Sequence, residues 1–440
     1  MLAARFVTVG ADTYWAVAMG RAIVRTGGVP DGIPFAAAPS TGWPNAPVLA
    51  ELALAALAAP GPIGIVVAQL VVNAVALVLL ASGARRLGTG DGPTAATLAL
   101  MSVGALPALG SVKLQLFSVA LFPLLLILLR REHDRPSRAV WWVLPLLALW
   151  GNLHGAVLLG VGVTGAYLAF SRLRMRPLET VVVGLVCLLA LFANPALGRT
   201  LTYYAGLLGN EAARRGTELW ARPNPSSLFD LLLIVAGIVL VAAALWARPP
   251  LWEVVAILGL VVGTATSARH GVWLLMLCVA PAARRFTHTR EVPSPTSTSR
   301  LGIAVAATVA VIGSGLLLAS RLDSLNPSGR PAIVAAVRQA AGDTVVLADE
   351  PLAESLAAEG VRVWMSNPLD AFAQADQAAY LDFVSGAAGN STRALDASDV
   401  VVVRSGGGPD ALVTRDARFA PVGQVEGYSI YGRTGGGRGS

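Results

Sequence analysis

Long apolar runs, interrupted by arginine clusters or by short polar tips, dominate the chain from residue 61 to residue 320. They fall at residues 61–83, 93–110, 114–129, 139–151, 155–170, 177–195, 227–247, 251–268, 271–283 and 301–320. A membrane-crossing helix needs about 20 mainly apolar residues, somewhat fewer inside a packed bundle, so the pattern predicts about ten transmembrane helices, several of them short. The stretches 139–170 and 251–283 are each bracketed by arginine and each too long for one span, which predicts two tight helical hairpins with polar tips. Arg85/Arg86, Arg130/Arg131/Arg135/Arg138, Arg172/Arg174/Arg176, Arg248 and Arg284/Arg285/Arg290 alternate with the runs. The positive-inside rule makes those loops cytoplasmic. The other connections then face outward: residues 1–60, 110–113, 151–155, 196–226, 268–270 and everything after 320. Both chain ends fall outside, and residues 1–11 are too short to span and carry no secretory pattern. A further helix upstream, or a different start site, is expected.

Periodicity changes outside the runs. Residues 1–60 predict a first outward loop with two amphipathic helices, 13–26 and 47–58, lying at the membrane interface and separated by a Pro/Gly-rich stretch. After the last span, TVVLA, VRVWM and DVVVV alternate with helical segments, and residues 419–432 read as a closing hairpin. This predicts a small α/β domain over 321–433 with a mostly parallel sheet, followed by a disordered tail, 434–440. VPSPTSTS reads as a flexible linker. The fold class is therefore an all-α polytopic membrane bundle, 61–320, with a C-terminal α/β domain outside a cell membrane crossed many times.

Composition supports the bilayer reading: of 440 residues, 55% are hydrophobic and 13% charged, with a mean hydropathy of +0.64. The net charge of +7 comes from arginines scattered through loops, without the aromatic-interleaved stripe that nucleic-acid binding needs. Cys187 and Cys278 lie within apolar runs and point to no metal or redox site. No HExxH, Walker A or GxSxG sequence occurs, so neither a hydrolase nucleophile nor an NTPase motor has support.

Polar residues gather on the outward side: Asp12, Tyr14, Trp15, Asp31, Glu51, Lys113, Gln115, Asn152, His154, Asn194, Arg199, Tyr203, Tyr204, Glu218, Trp220, Arg222, Arg269 and His270. Ionisable groups at membrane depth are costly and mark a functional site by default. Arg199, Arg214, Arg215, Arg222, Arg269 and Lys113 stand where the positive-inside rule leaves few cations, which fits either a phosphate ligand, gripped by guanidinium forks, or pairing with Glu211, Glu218 and lipid headgroups. Arg269, at the SARHG tip, is expected to meet a ligand or a carboxylate. In the WGNLHG tip, Asn152 and His154 fit two roles, binding a polar substrate or satisfying backbone at a helix break. Asp12, where a helix would leave the bilayer, likewise fits a catalytic carboxylate or an N-cap.

The stretch DTYWAVAMGRAIVRTGGVPDGIPF, followed by PVLAELA with Glu51, together with WGNLHG, FANPALG, TELWARP, SARH and VWMSNPLDAF, resembles a bacterial group of polytopic proteins placed near the GT-C superfamily of membrane glycosyltransferases. The likeness spans most of the chain and lies in architecture: an acidic residue opening the first outward loop, two juxtamembrane helices, short paired spans and a C-terminal outer domain. It departs from many relatives in having one acid at position 12 where they have a pair. What the resemblance implies is inverting, metal-independent transfer of a hexosyl or pentosyl unit from a polyprenyl-phosphate carrier, in contact with membrane lipid and without a cofactor. Asp12 would be the catalytic base, and Trp15, Asp31, Glu51, Lys113, Gln115, Asn152, His154, Arg199, Tyr203, Glu218, Arg269 and His270 would contact substrate. Two other functions fit the same layout: a lipid-linked substrate transporter or flippase, and a non-catalytic scaffold whose outer domain binds envelope partners. Transport predicts polar residues through the middle of spans, and most spans here are apolar at their centres.

Overall fold

The first nine apolar runs are helical in the computed structural model, which describes residues 7–217, 220–287 and 331–435. The tenth run, 301–320, the VPSPTSTS linker, Glu218 and the tail from residue 436 lie outside the described residues. Two helices, Pro62–Arg86 and Leu228–Trp246, are long and apolar enough to cross a membrane by length and composition. Arg138–Gly151, Val157–Arg172, Pro177–Ala190 and Leu251–Thr266 are apolar but shorter, and Gln115–Asp134 ends in the charged sequence RREHD.

The chain divides into two compact units, the first made of residues 1–8, 63–194 and 216–322, the second of 9–62, 195–215 and 323–440. At the heart of the first unit lies helix Gly271–Phe286, buried without interruption from Gly271 to Ala283. It packs against Leu228–Trp246 and Asp91–Gly104. Gly104 permits that approach, because a Cβ there would sit 2.5 Å from the Ala236 Cβ. Outward-turned side chains on helices Pro62–Arg86, Pro177–Ala190 and Leu228–Trp246 include apolar ones: Val71, Val78, Leu185, Leu189 and Ile238 are all more than half exposed, which in water would be an aggregation-prone surface.

The arginine clusters are not simple loop charges. Arg172 is fully buried, bonded through Nη1 to Glu132 at 2.8 Å and through Nη2 to Glu179 at 3.0 Å and the Ser137 carbonyl at 2.7 Å. Helix Val157–Tyr167 continues into one π-turn, Leu168–Arg172, at this point. Arg130 is also buried and meets Glu253 at 2.7 Å and the Leu277 carbonyl at 2.9 Å.

In the second unit the two expected loop helices are present as Ala11–Thr26 and Val48–Leu57. The first is buried over most of its length against the second and against Leu352–Ala358, so it is a core helix of this unit. Gly20 lies against the Glu51 backbone, where a Cβ would come within 2.1 Å of the carbonyl oxygen.

The C-terminal sheet is mainly antiparallel, against the parallel expectation. Val346–Ala348 pairs parallel with Val400–Arg404; that strand pairs antiparallel with Tyr428–Arg433, which pairs antiparallel with Phe419–Val425. The last two strands form the expected hairpin. Its turn holds Glu426 at φ 46° and Gly427 at φ 83°, the left-handed pair that two-residue hairpins use. VRVWM forms no ladder. Val363 makes isolated parallel bridges to Val346 and Ala36, its backbone divided between the sheet and loop residues 35–38. The hairpin extends the sheet at the Val400–Arg404 side, opposite the edge at which Val363 meets Val346.

Candidate functional site

In the first unit, Lys113 immediately precedes helix Gln115–Asp134, whose first turn carries Gln115 and Ser118. Three residues apart, they share a helix face. Ser118 is fully buried. The indole Nε1 of Trp150 donates to Ser118 Oγ at 2.7 Å, and that oxygen lies 2.8 Å from Nδ1 of His154. The backbone N–H of Ala156 also points at Nδ1, at 3.4 Å. Gln115 Nε2 is buried with no hydrogen-bond partner among the described residues. Burial, and then the charge of Arg269, hold the His154 pKa below its ordinary value, so its ring is neutral. Arg269 rests on Trp220, with the guanidinium carbon 4.3 Å from the ring centroid, a cation–π contact. His270 donates from Nδ1 to the Gly263 carbonyl at 2.9 Å. Asn152 gives its amide hydrogens to the carbonyls of Ala148, at 2.8 Å, and Ala193, at 2.5 Å, which is the backbone-satisfying role. Lys113, Gln115, Asn152, His154, Arg269 and His270 thus all belong to this unit.

Asp12, Trp15, Asp31, Glu51, Arg199 and Tyr203 belong to the second unit. Asp12 is the second residue of helix Ala11–Thr26, and Gly10 occupies the cap position. Capping is therefore not its role. Its half-buried carboxylate makes no hydrogen bond among the described residues, at a helix end whose dipole favours the anion. Its nearest acidic neighbour was not read from the sequence. Glu354, fully buried, accepts from Asn367 N at 3.1 Å while its Oε2 has no partner. Burial raises its pKa to about 7, with the Asp12 and Asp349 charges adding to the shift. Asp349 is itself raised to about 6, chiefly by burial.

The aromatic residues of this unit form a packed chain. Trp15 and Trp43 are 6.4 Å apart, Trp43 and Tyr203 6.4 Å, Tyr203 and Tyr204 5.2 Å, and all four are buried. Trp43 Nε1 donates to Asp370 Oδ2 at 2.9 Å, tying the VWMSNPLDAF motif to the first loop. Glu51 is fully buried, with Oε2 accepting from Asn45 Nδ2 at 2.8 Å. Burial raises its pKa to about 8, so it is a protonated core acid at neutral pH. Asp31 is exposed and braces the loop by accepting from Gly42 N at 2.8 Å. Arg199 is exposed. Arg215 pairs with Glu211 at 3.0 Å and Asp382 at 2.7 Å, and Arg214 with Glu211 at 3.5 Å, the carboxylate pairing rather than the phosphate one.

Sequence reasoning missed Ser118, Glu354 and Asp349. A lone serine in an apolar run carries no signal until its neighbour is known. The DEPLAE stretch holding Asp349 and Glu354 reads as an ordinary solvated helix start.

No protein-family model matches the sequence, and neither does any curated protein. The fold is similar to that of arabinofuranosyltransferase AftD from mycobacteria, solved by single-particle cryo-electron microscopy, with a TM-score of 0.50 and 15% identity. The match covers 98% of this chain and 40% of that one, so the chain spans less than half the length of the enzyme whose fold it shares.

Proposed function

We propose that the protein is a multi-pass membrane glycosyltransferase of GT-C type that moves a hexosyl or pentosyl unit from a polyprenyl-phosphate carrier to an acceptor at the non-cytoplasmic face. The observation that carries this reading is the polar end of the first unit. Gln115 there has an amide donor buried without an acceptor among the described residues, His154 lies in the field of Arg269, and apolar helices frame both. A ligand with an anionic oxygen and a lipid tail fits both features. Lys113 and Arg269 would neutralise the phosphate as it leaves, where charge develops in the transition state. The apolar exposed faces of the helices support the membrane location, and the fold shared with an arabinofuranosyltransferase supports the reaction class.

Asp12 is the base in this reading: it would orient and deprotonate the acceptor hydroxyl as that oxygen attacks the anomeric carbon and the lipid phosphate departs with the bonding electrons. A carboxylate in the first turn of a helix, without a hydrogen bond among the described residues, is open to an incoming hydroxyl. Asp12→Asn removes the base at nearly constant volume and leaves the Gly10 cap untouched. Sugar transfer in reconstituted membranes should then fall by about a hundredfold or more, the scale of a lost general base. Transfer at the parental rate in a folded variant would end the assignment.

A further inference from the structure

The bonds around Ser118 determine which nitrogen of His154 carries its proton. The Trp150 indole nitrogen can only donate, so at 2.7 Å it occupies a lone pair of Ser118 Oγ. The single hydroxyl hydrogen of Ser118 is left for His154 Nδ1, 2.8 Å away. The reverse arrangement, Nδ1–H donating to Ser118, would leave that hydroxyl hydrogen without an acceptor among the described residues. It would also aim the Ala156 N–H at a protonated nitrogen. Nδ1 is therefore the acceptor, and the ring proton sits on Nε2. The described residues show no hydrogen bond from that Nε2–H, and the Nε2 of Gln115, on the same helix face as Ser118, is buried without a partner among them. A ring N–H in the field of Arg269 and a buried amide donor without a partner call for an anionic oxygen.

We propose that Ser118, held by Trp150, is a positioning residue that presents His154 as an Nε2–H donor to a phosphate oxygen of a lipid-linked donor. The proposal rests on reading this cluster as the phosphate grip of a glycosyltransferase. Ser118 touches no ligand itself; it acts through the imidazole.

The test pairs a spectroscopic readout with a binding one. The chain has four histidines, so ¹⁵N-histidine labelling of the full-length protein, with His154→Gln to identify the signal, reports the tautomer directly. The parent should show Nε2–H at His154, Ser118→Ala a mixture of tautomers, and Ser118→Thr, which keeps the hydroxyl, the parental state. Binding is measured with decaprenyl phosphate in phosphatidylcholine nanodiscs and, separately, with inorganic phosphate. Ser118→Ala should weaken decaprenyl-phosphate binding about tenfold, the scale of one hydrogen bond to a charged group, and Ser118→Thr should restore it. An Nδ1–H tautomer in the parent, or undiminished binding in Ser118→Ala, overturns the proposal. Capture of inorganic phosphate alone overturns the lipid source. A parent that binds neither probe overturns the proposal together with the phosphate reading of the site. Intact phosphate binding without sugar transfer overturns only the glycosyltransferase.

Discussion

Two polar sites in the helical unit differ in the charge of the groups that answer them. Around Arg172, Glu132, Glu179 and the Ser137 carbonyl supply acceptors for both terminal guanidinium nitrogens. Around His154, the bonds run from Trp150 through Ser118 to Nδ1, and the amide Nε2 of Gln115, on the same helix as Ser118, is buried without a partner among the described residues. Depth does not distinguish the two sites, since Arg172 and Ser118 are both fully buried. Their partners do. Native interiors pair nearly all their buried polar groups, so the unpartnered Gln115 amide, in a site that no carboxylate closes among the described residues, is where a ligand would be felt.

The largest effect that can test this contrast is on folding. Removing one partner of a buried ion pair strands the other charge, at a cost of about 3–5 kcal/mol. Arg172→Ala and Glu132→Ala should each unfold the protein at much lower denaturant in detergent micelles, and a parental midpoint for both would break the claim that this end is structural. At the other end the expectation reverses. Arg269→Ala should keep the parental midpoint and weaken decaprenyl-phosphate binding by about tenfold or more, the scale of a charge-assisted contact. Lysine at 269 should rescue poorly, because an ammonium cannot reproduce the planar fork or its stacking on Trp220. An Arg269→Ala variant that fails to fold would move that residue to the structural side of the comparison. The smallest effect is the most discriminating. Gln115→Leu replaces an unpartnered buried amide with an apolar group and should stabilise the protein by about 1 kcal/mol, while loosening phosphate binding a few-fold. A destabilised Gln115→Leu would mean that the amide has a structural partner after all.

The helices were legible in the sequence because long apolar runs and their polar breaks are local signals. So were the two loop helices and the closing hairpin, with Glu426 and Gly427 at its turn. The sheet was less so: VRVWM has strand composition, but whether it joins a ladder depends on what lies at its edge, and here loop residues 35–38 take half its backbone. Among the site residues, Asp12, His154 and Arg269 stood out because polar groups flanking apolar runs are conspicuous. Trp15, Tyr203 and Glu51 stood out equally and proved to be packed inside.

The sequence by itself determined where the chain is helical, which stretches are apolar enough to leave water, and which polar residues interrupt them. Hydrophobic period and composition are properties of neighbours along the chain. Only the tertiary structure decided which of those polar residues are satisfied. It turned Arg130 and Arg172 inward onto carboxylates from other helices. It also brought Glu354 into the field of Asp12 across more than three hundred residues of sequence, and set Nδ1 of His154 2.8 Å from the hydroxyl of a serine hidden in an apolar run. Hydrogen-bond completion depends on partners distant in sequence and close in space, and for that reason no periodicity along the chain records it.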